Sequence, residues 1–382
     1  MAGIYIHIPF CKQACTYCNF YFSTSLKQKD NVLKALNKEI LITPLLTNGP
    51  EQIDTIYIGG GTPSLLSADE LAMIFETLHH KFEIKKNAEI TLEANPDDIN
   101  NSILKKWQQT GVNRLSLGIQ SFVQTELSWM NRAHNADEAL NSINEILEAG
   151  FTNFSVDLIY GSPLLSNDDL KKNLDIIFKK QIPHISCYAL TVESKTSLHH
   201  MIEKKRSLAV DAGKQAEQFL LLMNLMNQNN FEQYEISNFA KPGMRSLHNS
   251  SYWLQTPAGQ GKAYYGFGPA AHSFDGRNSR RWNIANNALY IQSLLKDTIP
   301  YEEEILTKTQ QLNEYIMTSL RTIEGMDLKL VSSIFGDQMY ENLKARSRKY
   351  IESNKLMQES DHLILTNEGK LFADGIAADL FF

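Results

Sequence analysis

The sequence predicts an α/β chain in which six strand–helix units form a partial barrel, followed by a small helical domain with a winged-helix-like ending. Strand-like runs alternate with amphipathic helices from residue 3 to about residue 190, which is the order of a parallel βα sheet. Within the runs apolar and polar residues alternate. Leu115, Leu117 and Ile119 alternate with Arg114, Ser116, Gly118 and Gln120, and Phe154, Val156 and Leu158 with Asn153, Ser155 and Asp157. A sheet covered by helices on both faces would read as continuous apolar runs instead. A polar inner face is satisfied by a lumen that receives water or a ligand. Residues with chemical potential, Cys11, Gly60, Glu93, Gln120, Asp157 and Tyr188, fall at the C-terminal strand ends, where such barrels carry function.

In chain order, the strands are expected over residues 4–8, 54–58, 89–93, 114–119, 153–159 and 184–190. Ser67 and Glu70 form a capping box ahead of Leu71, Ile74, Phe75 and Leu78. Asn135 and Glu138 repeat the device before Leu140, Ile143 and Leu147, and Gly150 ends that helix. Asn167 precedes Leu170, Leu174 and Ile177. Residues 209–227 read as one helix with Phe219, Leu222 and Met226 inward, 234–239 as a strand, and 264–274 as an extended segment around Gly266-Phe267-Gly268-Pro269. Beyond Glu302 the pattern is helical, then a hairpin with its turn near Asp361, then a last helix. The expected division is 1–230 for the barrel, 231–300 for an extension and 301–382 for the C-terminal domain. The basic run from Lys344 to Lys349 reads as a solvated helix face.

The chain has 382 residues, 43% of them hydrophobic, enough to bury a large core. A net charge of −6 argues against a broad nucleic-acid footprint. No secretory leader and no apolar run approaching the ~18 residues of a membrane helix is visible. The expectation is a soluble cytoplasmic protein, with peripheral membrane contact left open.

Three of the four cysteines, Cys11, Cys15 and Cys18, follow the first strand in the spacing C-x3-C-x2-C. Thiolates that close can converge on one centre, and soft ligands of this kind suit zinc or an iron–sulfur cluster. Zinc would want a fourth Cys or His from a second knuckle, and none is evident. Three ligands on a four-iron cube leave one iron open to a small molecule. Cys187, on the apolar parity of its strand, reads as an inert buried thiol. Gly59-Gly60-Gly61-Thr62-Pro63 follows the second strand, where glycines let a ligand approach the backbone.

With these two motifs the chain resembles the radical S-adenosylmethionine superfamily. The resemblance extends to Tyr5-Ile6-His7-Ile8-Pro9-Phe10, Glu93-Ala94-Asn95-Pro96, Leu115-Ser116-Leu117-Gly118-Ile119-Gln120-Ser121, Asn131-Arg132 and Asp157-Leu158-Ile159-Tyr160-Gly161-Ser162-Pro163. It is to the branch that holds the oxygen-independent coproporphyrinogen III oxidases and the haem chaperones of HemW type. The resemblance implies a 4Fe–4S cluster on Cys11, Cys15 and Cys18. It further implies S-adenosylmethionine held by Tyr5, Gly60 and Glu93, with Tyr17, Gly61, Thr62, Gln120, Arg132, Asp157 and Ala189 around the nucleotide or substrate. The run His248-Asn249-Ser250-Ser251-Tyr252-Trp253 matches a feature of the relatives that handle haem, and makes His248 the candidate haem ligand. The oxidases resemble C-x3-C-x2-C-x-C, whereas Phe20 stands at the last of those positions here, and the first strand leaves no room for the oxidases' N-terminal arm. Both departures favour a chaperone that passes haem to an acceptor protein. The alternatives are coproporphyrinogen decarboxylation or another radical reaction.

Overall fold

A computed structural model describes residues 2–46, 51–253 and 261–382. Six strands, β1 (Ala2–Ile8), β2 (Gln52–Gly60), β3 (Glu83–Ala94), β4 (Arg114–Gln120), β5 (Phe154–Tyr160) and β6 (His184–Ala189), run parallel, each paired with the next. The barrel is partial: β1 and β6 do not meet, and both free edges are extended. The hairpin β7 (Glu232–Glu235) and β8 (Asn238–Ala240) adds to β6, with β8 inside. On the other side β9 (Tyr264–Phe267) joins β1 in parallel, and β10 (His272–Phe274), β11 (Ser279–Asn283) and β12 (Tyr301–Ile305) follow antiparallel. One sheet of 12 strands results.

The apolar strand faces pack under the helices, and Ile4, Ile58, Leu92, Leu115, Leu117 and Val156 are fully buried there. Helix Ala68–Lys81 is capped by the Ser67–Glu70 box and buries Leu71, Ile74, Phe75 and Leu78, as its periodicity predicts. Helix Ala136–Glu148 has the expected Asn135–Glu138 box but buries Ala139, Ser142, Ile143 and Ile146, leaving Leu147 exposed. The apolar pattern there spans two neighbouring faces, and tertiary packing selects one. The third cap is Ser166 rather than Asn167, because the Ser166 side chain accepts from Asp169 N. Helix Ala212–Gln228 starts after its Asp211 cap, three residues later than its pattern suggests.

Two segments expected to be continuous turn back on themselves. Residues 234–239 reverse at Ile236-Ser237, where Glu235 accepts from Ser237 N (2.9 Å) and Asn238 Nδ2 (2.7 Å). Residues 264–274 reverse at Gly268, whose φ of +101° favours glycine. The 256–263 loop lies outside the described residues except for 261–263. The C-terminal region runs through helices Lys308–Leu320, Leu328–Phe335 and Asp337–Glu352 to a sheet of β13 (Met326–Asp327), β14 (Leu356–Glu359) and β15 (His362–Leu365), the order of a winged helix. From Lys344 to Lys349 only Ser347 is buried, as expected of a solvated face.

A buried carboxylate joins barrel and extension. Glu39, on helix Lys29–Ile42, accepts from Gly268 N (2.8 Å), Asn283 Nδ2 (2.6 Å) and the Tyr290 hydroxyl (2.6 Å). Burial pushes its pKa up to about 6, against the pull of those donors. Glu39→Leu would strand three donors in the core, at a cost of about 3 kcal/mol or more. The expected result is a clearly lowered urea midpoint, and an unchanged midpoint would refute this role.

Candidate functional site

The cysteine loop leaves the end of β1 and is tied down on all sides. Cys11 N donates to Ser23 O (3.0 Å) and Ser23 N to Pro9 O (2.9 Å), closing the loop's base. Thr16 N donates to Met130 O (3.0 Å) and Asn131 Nδ2 to Ala14 O (2.7 Å), fastening its tip to the segment after β4. Lys12 reaches Asp97 (2.7 Å) and Asp98. All three thiols line one cavity, and a set of three soft thiolates with no fourth cysteine or histidine beside them among the described residues suits separate irons of a cluster. Burial pushes the Cys11 thiol up to about 11 and raises Cys18. A bound metal cation reverses that preference, since a coordinating thiol is deprotonated.

The glycine loop ends β2 and packs against the same base. Gly61 N donates to Ile8 O (2.9 Å) and Thr62 N to Phe10 O (2.7 Å), and a Cβ on Gly61 would lie 2.6 Å from Phe10 O. Gly60 sits at φ +111°, with the His7 ring 2.7 Å from where its Cβ would be. These glycines therefore let two loops interlock as well as leaving room for a ligand. A β-branched residue at Gly60 would strike His7 first, so it could not isolate ligand binding.

Three charged side chains converge on the lumen. Glu93 Oε2 accepts from Gly60 N (3.1 Å) and Oε1 from the Tyr57 hydroxyl (2.8 Å); burial pushes its pKa up to about 7, with nearby Asp157 adding to the rise. Burial likewise lifts Asp157 to about 6, against hydrogen bonds from Ser186 and Ser116. Arg132 Nη1 lies 3.2 Å from Cys15 Sγ, while Nη2 donates to Asn95 Oδ1 (2.8 Å) and Gly118 O (2.7 Å). Burial works against its charge, but Tyr17 and Cys15 outweigh it, so Arg132 remains a cation. A cation beside two carboxylates that await positive charge suits a zwitterionic or cationic ligand.

Cys11, Cys15, Tyr17, Cys18, Gly60, Gly61, Thr62, Glu93, Gln120, Arg132, Asp157 and Ala189 all line one cavity of about 500 Å³. Phe20, 67% exposed, lies at its rim. Two predicted residues lie outside it. Tyr5 bonds His7 Nδ1 through its hydroxyl (3.0 Å), and its neighbour across the β1–β2 pairing, Tyr57, lines the cavity instead. Strand parity could have found Tyr57, between Ile56 and Ile58. His248 is buried, with Nδ1 bonded to Thr55 Oγ1 (2.8 Å), Nε2 to the Tyr252 hydroxyl (2.8 Å), and its ring stacked on Tyr57 at 5.1 Å. Burial lowers its pKa to about 3. Both ring nitrogens of His248 are thus engaged within the fold, where an iron ligand would need one of them released. Trp253 sits under the Arg321 guanidinium instead of facing a ligand. Asn249, which does line the cavity, carried no signal in the sequence beyond its place beside His248. Cys187 is buried on β6 and does not line the cavity.

The Radical SAM superfamily matches residues 5–177, and the HemN C-terminal domain matches residues 306–372. The chain is 32% identical over 380 residues to the haem chaperone HemW of Bacillus subtilis, covering 98% of each protein. It is 29% identical to that of Haemophilus influenzae, covering 97% of this chain and 95% of the relative. Among solved structures, the coproporphyrinogen III oxidase HemN of Escherichia coli superposes with a TM-score of 0.84 at 21% identity, over 99% of this chain and 89% of the enzyme, a likeness of fold. Among the described residues, no helix is long and apolar enough to cross a membrane.

Proposed function

This chain belongs to the HemW family of radical S-adenosylmethionine proteins, and we propose on that premise that it carries haem as cargo to an acceptor protein. The family's cofactors are a 4Fe–4S cluster and S-adenosylmethionine. In our reading Cys11, Cys15 and Cys18 hold the cluster, and the lumen residues hold S-adenosylmethionine beside it. When bound, such a cluster supplies an open iron site and one electron for reductive cleavage of the sulfonium. The chain's own groups bind and orient. Glu93 accepts a ligand ammonium while its other oxygen stays on Gly60 N, Asp157 accepts hydroxyls, and the Arg132 cation steadies the charge of the Cys15 thiolate. A reducing cytoplasm, which keeps thiols available as ligands, is part of the same reading.

The observation that carries the chaperone reading over the oxidase reading is Phe20, an apolar ring at the cavity rim in the place where the oxidase pattern C-x3-C-x2-C-x-C has its last cysteine. The oxidase reading draws only on likeness of fold. The test is an absorption titration of the reconstituted protein with haem, run beside a coproporphyrinogen III turnover assay. We expect a saturable Soret change and no decarboxylated product. Turnover without haem binding would overturn the proposal.

A further inference from the structure

The cavity wall and the helix that carries His248 share one side chain, Tyr57. Helix Leu247–Trp253 is docked on the lumen side of the sheet. Glu89 on β3 accepts from Leu247 N (3.0 Å) and His248 N (2.9 Å), and Asn249 reaches the cavity itself. Thr55 and Tyr57, two residues apart on β2, share the lumen face, and both touch the His248 ring. Nδ1 lies 2.8 Å from Thr55 Oγ1, and the ring stacks on Tyr57 at 5.1 Å with an interplanar angle of 25°. Tyr57 also donates its hydroxyl to Glu93 Oε1 (2.8 Å). One residue therefore contacts both the carboxylate read as the ammonium acceptor and the imidazole that the sequence motif makes the candidate haem ligand.

Packing leaves Tyr57 little freedom. A Cβ on Gly59 would lie 2.8 Å from Glu93 Oε1 and 2.9 Å from Tyr57 Cε1, so the glycine loop packs directly against the pair. The Tyr5 ring stacks on Tyr57 as well, at 6.2 Å. Burial and the Glu93 carboxylate raise the Tyr57 pKa well above its usual value, which keeps the hydroxyl a donor. For iron to bind His248, a ring nitrogen must be freed, and moving the ring gives up the Thr55 bond and the Tyr57 stack. Close-packed contacts of this kind switch between discrete arrangements instead of deforming gradually. A ligand ammonium on Glu93 Oε1 meets the same oxygen that Tyr57 donates to. It holds that carboxylate ionised, and a hydroxyl donating to an ion is bound roughly twice as strongly as to a neutral acceptor.

We propose that Tyr57 is a positioning residue through which S-adenosylmethionine in the lumen and haem at His248 oppose each other's binding. This rests on the haem-carrying reading above, with His248 as the ligand. When S-adenosylmethionine is bound, the Tyr57 hydroxyl is held on Glu93 and the ring is fixed against His248, so the imidazole stays packed. When the lumen is empty, the ring yields more readily and His248 is released to iron. The coupling is reciprocal, because both ligands act on one packed-or-released equilibrium. For a chain that carries a cargo, filling the lumen favours handing haem to the acceptor protein.

The test is haemin titration of the full chain with its cluster oxidised, so that S-adenosylmethionine is bound and not cleaved. Wild type and Tyr57→Phe are each titrated without S-adenosylmethionine and with a concentration that calorimetry shows to be saturating. Phenylalanine keeps the ring against His248 and removes only the hydroxyl. Circular dichroism and the cluster absorption serve as folding controls. We expect S-adenosylmethionine to weaken haemin binding about fivefold or more in wild type, and less than about twofold in Tyr57→Phe. A merely structural role for Tyr57 would shift both titrations of the variant together and keep the wild-type ratio between them. Haemin binding to wild type that ignores S-adenosylmethionine, or a wild-type ratio in Tyr57→Phe, would overturn the assignment while leaving the haem reading intact. A flat wild-type titration would remove the haem reading and the coupling together.

Discussion

Replacing Cys15 with alanine is expected to give a colourless protein after anaerobic reconstitution, whereas Cys187→Ala stays brown with about four irons per chain. Cys15 is one of three sulfurs on the cavity wall, and its loop is pinned by hydrogen bonds that do not involve the thiol, so the fold should survive its loss. The change would also leave Arg132 Nη1 without the sulfur 3.2 Å away, although Nη2 keeps Asn95 and Gly118. Cys187 is 1% exposed on the helix-facing side of β6, and alanine there removes only a small buried volume. Iron analysis and the visible spectrum decide the matter. A bleached Cys187→Ala protein, or a brown Cys15→Ala protein, would refute the three-thiolate assignment.

Glu93→Gln should move two measurements in opposite directions. S-adenosylmethionine affinity, read by calorimetry, is expected to fall about 30-fold or more, the usual cost of truncating one partner of a buried charge pair. Stability of the unliganded chain should rise. The Glu93 pKa is raised from 4.5 to about 7 in the fold, mainly by burial, so the folded state favours the protonated form. Its stabilising effect is fully present below the unfolded value and is lost as pH rises through about 7. Unliganded wild type should therefore be more stable at pH 5.5 than at pH 8, with Asp157 adding to the slope as its pKa rises from 3.8 to about 6. Glutamine keeps an acceptor for Gly60 N without the charge and should recover on the order of 1–3 kcal/mol at pH 8. Thermal melts at the two pH values read this directly. Unchanged affinity would remove Glu93 from the binding site, and a wild-type protein that is less stable at pH 5.5 would refute the burial account.

Much of this protein can be read from short-range pattern. A strand's side chains alternate with a period of two, so Ser116, Gly118 and Asp157 are assigned to the lumen before any tertiary contact is known. The spacing C-x3-C-x2-C confines three thiols to one loop by covalent length alone. The Ser67 and Asn135 boxes mark helix starts because each completes its hydrogen bonds within four residues. Other features depend on partners far away in the chain. Leu147 faces solvent and Ile146 the core because the neighbouring layer accepts one of two adjacent apolar faces. Strands β8 and β9 find β6 and β1 through hydrogen bonds that no local periodicity encodes. His248 shows the limit most clearly. Its motif suggests an available imidazole, yet Thr55, 193 residues earlier, occupies one ring nitrogen and Tyr252 the other. Which polar groups are free for a ligand depends on which have already paired inside the fold, and pairing across such separations is settled by packing, not by neighbours in sequence.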